Sequence, residues 1–137
     1  MIGPINIALT GLAAANKQLN ASASNIANLQ TVGSLEEGAQ EPYTPLRTQQ
    51  SAITDGKGNG QGVKSTYAPK TNPFVPAYDP DSPFANSDGL IGVPNVDLAE
   101  EAVNLNLAEI QYKANIKTIE AASELSEELL RLFDDEA

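Results

Sequence analysis

Eight of the nine prolines fall between Pro42 and Pro94, and eight of the ten glycines fall between Thr31 and Asn95. Proline removes a backbone donor and clashes with the preceding helical turn, so the middle of this chain cannot stay helical for long. The flanks are free of such breaks apart from Gly3, Pro4 and Gly11. Pro4 suits the first turn of a helix, where its missing N–H is not needed. The 137 residues therefore divide into three: an N-terminal helix over 1–30, a Pro/Gly-rich middle over 31–95, and a C-terminal helix with an acidic tail over 96–137. The expected fold class is mainly α with a small β or irregular middle.

In the first helix Ile5, Leu9, Leu12, Asn16, Leu19, Ala23 and Ile26 recur at alternating spacings of four and three. That is the repeat of a heptad seam. Asn16 is its one polar member, at a position where a buried amide fixes register at some cost in stability. The other faces are Ala, Asn, Gln and Ser, with Lys17 the only charge before Glu36. So small and bland a surface predicts neighbours on more than one side. The helix is expected to end near Asn28 to Gln30.

The second helix opens with a capping box, Asp97 as N-cap and Glu100 three residues on. Leu98, Ala102, Leu105, Tyr112, Ile116, Ile119, Leu130 and Phe133 keep the four-three spacing, and Val103, Leu107, Ile110, Ala114 and Ala121 form an adjacent stripe. No Gly or Pro interrupts Leu98 to Phe133, which predicts a helix of roughly 55 Å. The expected assembly surface is Ile5, Leu9, Leu12, Leu19, Ile26, Leu98, Leu105, Tyr112, Ile116 and Ile119. One apolar seam against one partner stabilises a helix by less than ordering its backbone costs, and isolated helices are marginal in water. The terminal segments are therefore expected to be partly disordered in the monomer and to fold on assembly.

Within the middle, Tyr43–Thr54 and Val63–Tyr67 read as extended segments, and the glycine-rich loop from Asp55 to Gly62 would close them into a β-hairpin over about 43–67. Pro73, Pro76, Pro80 and Pro83 make Asn72 to Pro83 read as a stiff, extended strap. Large apolar residues are sparse here, so any core is small.

Composition excludes much chemistry. The chain has no Cys, no His and no Trp. Thiol catalysis, disulfides, Ser-His-Asp hydrolysis and His-ligated metals are excluded with them. The net charge of −10 argues against nucleic acid and against direct membrane binding. Eleven acidic and three basic residues lie between Asp97 and Ala137, so most of that charge sits in the C-terminal arm. No stretch is long and apolar enough for a transmembrane helix, and the N-terminus lacks the basic and apolar regions of a cleaved signal peptide. The loop from Gly56 to Gly62 lacks the strand and helix of a phosphate cradle, and Gly62-Val63-Lys64-Ser65 is not a P-loop. Asp79, Asp81 and Asp88-Gly89 do not have calcium-loop spacing. Asn20-Ala21-Ser22 is a glycosylation triplet in letters only. No catalytic, cofactor-binding or metal-ligating residue is assigned, and no enzyme activity is expected.

Three segments carry a resemblance. Asn25-Ile26-Ala27-Asn28-Leu29-Gln30-Thr31 resembles the Asn-Ile-Ala-Asn-x-x-Thr signature of the bacterial flagellar rod and hook protein family. Tyr78-Asp79-Pro80, followed by Asp88 to Asp97 with its Pro94-Asn95-Val96-Asp97, is similar to the short proximal-rod members of that family. Gln111-Tyr112-Lys113-Ala114-Asn115 resembles the Tyr-x-Ala-Asn element of the family's last helix. Order, spacing and length agree along nearly the whole chain. The family's usual Gly-Tyr after the Thr is replaced by Val32-Gly33-Ser34, and Leu35 to Glu41 is unusually acidic.

The resemblance implies that Asn25, Asn28, Thr31, Pro94, Asn95, Asp97, Tyr112 and Asn115 are family positions. It also implies that the terminal helices pair as an antiparallel coiled-coil-like domain with a small outer domain between them. Such subunits form a helical homo-oligomer in the rod, meet other rod subunits and the export and MS-ring base, and reach the periplasmic space through the flagellar type III apparatus without a cleaved signal peptide. From the residues alone, a soluble acidic helical adaptor or export chaperone binding a partner helix is the alternative.

Overall fold

The computed structural model describes residues 2–135. Met1 and the end of the acidic tail, Glu136 and Ala137, lie outside the described residues. The elements are α1 (Ile2–Ala27), β1 (Leu46–Thr54), β2 (Gly60–Pro69), β3 (Phe74–Tyr78), β4 (Leu90–Pro94) and α2 (Leu98–Asp135). Two long helices flank two antiparallel two-stranded sheets, β1–β2 and β3–β4, so the mainly α plan with a small β middle is present.

α1 and α2 run side by side in opposite directions. Asn25 meets Glu101, Gln18 meets the Asn104 carbonyl, Gly11 abuts Asn115, and Pro4 shares a groove with Thr118 and Ala122. The contact is made of small and polar groups. Ala8, Ala15, Ser22 and Asn25 on α1, with Glu101 and Ala108 on α2, are each 2% exposed or less. Together with their neighbours they trace a three-four repeat on each helix, displaced by one residue from the expected apolar seam.

The physical reason is backbone proximity: small side chains let two helix axes approach, whereas leucines would hold them apart. A Cβ on Gly11 would collide with the Asn115 side chain. That contact accounts for a glycine inside a helix, where it costs about 1 kcal/mol relative to alanine. Asn16, expected as the buried polar member of the seam, is exposed, and Asn25 is buried instead.

A second small-residue stripe of α1, namely Thr10, Ala14, Lys17 and Ala21, faces the β1–β2 hairpin. Ala14 and Ala21 are 3% and 4% exposed. The Thr10 hydroxyl accepts the Val63 N–H at 3.0 Å, and the Lys17 ammonium donates to the Ser65 carbonyl at 2.6 Å. These side chains occupy the edge of β2 that β1 leaves unpaired. α1 thus has neighbours on two sides, as its bland composition predicts.

The hairpin pairs Leu46 with Pro69 through Ile53 with Gly62, then bulges before Thr54 and Gly60. Its turn is tied by Asp55, whose Oδ1 accepts the N–H groups of Lys57 and Asn59, both at 2.8 Å. Within the segment expected as an extended strap, Asn72 to Pro83, Phe74–Tyr78 is a strand paired with Leu90–Pro94. Pro76 is tolerated there because it sits opposite Gly92, whose N–H and carbonyl both point away, to Gly33, at 2.8 and 3.0 Å. At such a non-hydrogen-bonded pair a strand needs no donor. Asp97 caps α2 as expected, its Oδ1 accepting the Ala99 and Glu100 N–H groups at 2.8 and 3.3 Å. The Glu100 carboxylate turns instead to Lys70, at 2.9 Å.

Candidate functional site

The chain concentrates its buried polar chemistry where four elements converge: the last turns of α1, the start of β1, the residue after β2 and the first turn of α2. Asn25, wholly buried, sits at the centre. Its Oδ1 accepts the Leu46 N–H at 2.8 Å and the Tyr43 hydroxyl at 3.0 Å. Its Nδ2 donates to the Leu46 carbonyl and to Glu101 Oε1, both at 2.8 Å. One amide thus occupies both backbone groups of a strand edge, which no apolar side chain could do.

Glu101 is 1% exposed and also faces Lys70 Nζ at 3.2 Å. Burial alone would push its carboxyl up; hydrogen bonds from Ser22 and Asn25 and the Lys70 ammonium outweigh burial and hold it below the usual carboxylate range. For Lys70, burial works downward, and its bonds to Glu100 and Glu101 raise it above the ordinary lysine value. The cluster is a polar latch: every charge in it has a partner, and it offers no unpaired nucleophile or base.

The other family positions are also joints. The Asn28 amide donates to the Ser24 carbonyl at 2.9 Å and its Oδ1 accepts the Thr31 hydroxyl at 3.2 Å, which closes the end of α1. Pro94 is buried at the end of β4, and Asn95 donates through Nδ2 to the Asn72 carbonyl at 3.0 Å. Asn115 fills the space left by Gly11. Tyr112, by contrast, is 38% exposed.

The expected assembly residues lie beside the α1–α2 contact rather than in it. Leu9, Leu19 and Leu98 are 49%, 40% and 51% exposed. Ile5, Leu12, Ile26, Leu105, Ile116 and Ile119 are half-buried. Further large apolar side chains on α2, among them Val103, Leu107 and Ile110, are exposed as well. Sequence reasoning missed Ser22, Tyr43, Lys70 and Glu101 as members of the latch. A legible signal did exist for one: Glu101 and Ala108 are seven apart and continue to Asn115 and Ala122, a heptad of small and polar residues that an apolar search passes over.

Among the described residues no group of acidic side chains could hold a metal ion, and no helix is long and apolar enough to cross a membrane. Residues 88–132 match the family model for the C-terminal domain of the flagellar basal-body rod FlgEFG proteins. The flagellar basal-body rod protein FlgC of Salmonella typhimurium is 32% identical over 96% of this chain and 97% of its own length. The FlgC of Buchnera aphidicola from Acyrthosiphon pisum is 32% identical over 91% of this chain and 92% of its own. That of Bacillus subtilis is 30% identical over 85% and 87%.

Proposed function

The chain belongs to the FlgC family of flagellar basal-body rod proteins, and from that premise we propose that it is a subunit of the proximal rod that transmits motor torque. It is a structural protein rather than an enzyme. The observation that carries the reading is similarity along nearly the full length of both chains, with family positions Asn25, Asn28, Asn95 and Asn115 serving as joints of the fold.

Assembly uses the apolar seam that the α1–α2 contact leaves outside. Ile5, Leu9, Leu12, Leu19 and Ile26 of α1, with Leu98, Leu105, Tyr112, Ile116 and Ile119 of α2, meet the terminal helices of neighbouring subunits in coiled-coil fashion. The contact is heterologous and does not close, so it grows a helical, hollow rod. The partners are further copies, other rod subunits and the export and MS-ring base. The subunit reaches the rod, in the periplasmic space, through the flagellar type III apparatus.

An in-frame deletion tests this. Swimming and electron tomography of the basal body should show rod and hook lost while the export base remains, with both restored by complementation. Normal rods and normal motility, in a genome with no second copy of the gene, would overturn it.

A further inference from the structure

The stripe of α2 that meets α1 does not stop where α1 stops. Asn115, Thr118 and Ala122 face α1 as far as Pro4. The same three-four repeat then continues as Leu125, Leu129 and Leu132, and α2 runs on to Asp135. Leu125 still lines the groove beside Pro4, so the side chains change from small to large at the last turn of contact and stay large beyond it. Leu125, Leu129 and Leu132 are 63%, 39% and 57% exposed. Glu124 and Glu128, four apart, flank this stripe on one side. The projecting turns are an amphipathic helix with a leucine stripe and a carboxylate border, and from Glu120 to Asp135 six acidic residues stand against one Arg.

The same chain carries a surface of the opposite kind. From Leu46 to Lys70 four basic residues stand against one acidic residue, Asp55, whose carboxylate is already taken by Asn59 and the Lys57 N–H. Between α1 and the hairpin lies a groove of 230 Å³ lined by the apolar Ala13, Ile53 and Val63 and by Lys17 and Lys64. Lys64 is exposed. The groove matches the projecting helix in kind: apolar lining to leucine stripe, lysines to glutamate border.

We infer that the C-terminal projection of α2 docks into the α1–hairpin groove of a second copy of this chain. The two surfaces lie on different parts of one molecule, so the contact is heterologous, and each subunit has one of each to offer. Within one subunit the hairpin is held along α1 between Thr10 and Asn25, whereas Leu129 and Leu132 follow Leu125, which lies at the Pro4 end of the helix pair, away from that groove. Charge attraction steers the approach and leucine burial holds it.

The test is self-association of the purified full-length chain by sedimentation velocity, in salt of about 20 mM and about 0.5 M. The expected result is association that grows with concentration at low salt and weakens at high salt. Glu124→Lys with Glu128→Lys, and separately Lys64→Glu, should each weaken it about tenfold. An equal mixture of those two charge-reversed proteins should associate again. Leu129→Glu should abolish association, leaving at every concentration the circular dichroism that the wild type shows when diluted to its monomer. A chain that stays monomeric at low salt, an association indifferent to these changes, a mixture that fails to restore it, or a projection that binds only a different flagellar protein would each overturn the inference. The measurement concerns the isolated chain, so its failure leaves the deletion phenotype, and with it the rod assignment, untouched.

Discussion

Asn25 shows how much of this fold rests on single polar side chains. It joins α1 to the start of β1 and to Glu101 of α2 through four hydrogen bonds. Replacing it with alanine strands the Leu46 N–H and carbonyl and removes one donor from a buried carboxylate. An unsatisfied buried group costs about 1–3 kcal/mol, so Asn25→Ala should lower unfolding free energy by roughly 2–4 kcal/mol in denaturant titrations.

Glu101 makes a second prediction, in pH. Its folded carboxyl titrates below the ordinary value of 4.5, so its stabilising contribution is complete above about pH 4.5 and disappears as pH falls through the lower folded value. Lys70 behaves oppositely: raised above 10.5, it contributes fully below that pH and is lost only as pH climbs through the folded value. Thermal melts between about pH 3 and 7 should therefore fall less steeply for Glu101→Gln than for the wild type, from a lower starting point at neutrality. Parallel curves would show that this carboxylate carries none of the acid sensitivity.

At the scale of elements, helix positions were legible and helix contacts were not. Pro4, the Asp97 cap and the unbroken run to Phe133 placed both helices within a few residues of Ile2–Ala27 and Leu98–Asp135, because caps and breakers are local chemistry. The stripes that face each other lie one residue from the apolar seam, because apolar periodicity finds the most hydrophobic face and the α1–α2 contact uses the small-residue face beside it. The tight contact belongs to Ala8, Gly11, Ala15 and Ser22, which bury little area each but permit close approach. The β3–β4 hairpin was hidden for another reason: Pro76 reads as a strand breaker until its partner Gly92 is seen bonding elsewhere. The latch was illegible because Lys70 and Glu101 are distant in sequence and each is an ordinary surface residue by type. If closeness is what pairs the helices, Gly11→Leu should be far worse than helix propensity suggests. Leucine is the better helix former by close to 1 kcal/mol, yet its side chain would enter the volume of Asn115. The expected outcome is a net loss of about 1–3 kcal/mol with hydrogen exchange accelerated in both helices, and a stabilised variant would refute the close-contact account.

For the whole molecule, the consequence lies in where the apolar surface goes. Among the described residues, prolines apart, the buried apolar side chains are Ala8, Ala14, Ala15, Ala21, Ile91 and Ala108, five alanines and one large residue. Leu125, Leu130, Leu132 and Phe133 remain between 57% and 70% exposed. Hydrophobic stabilisation scales with area removed from water, so the single chain holds little in reserve to offset the ordering of two long helices. Assembly would supply what the monomer lacks. α1 and α2 have 26 and 38 residues of the 137, so a fully ordered chain would show just under half its residues as helix. The purified protein at low micromolar concentration should fall well short of that by circular dichroism, and the missing signal should appear as concentration rises and subunits associate. Full helix content in a dilute monomer would instead mean that the small-residue contact and the Asn25 latch suffice alone, and that assembly adds surface burial to a fold already complete.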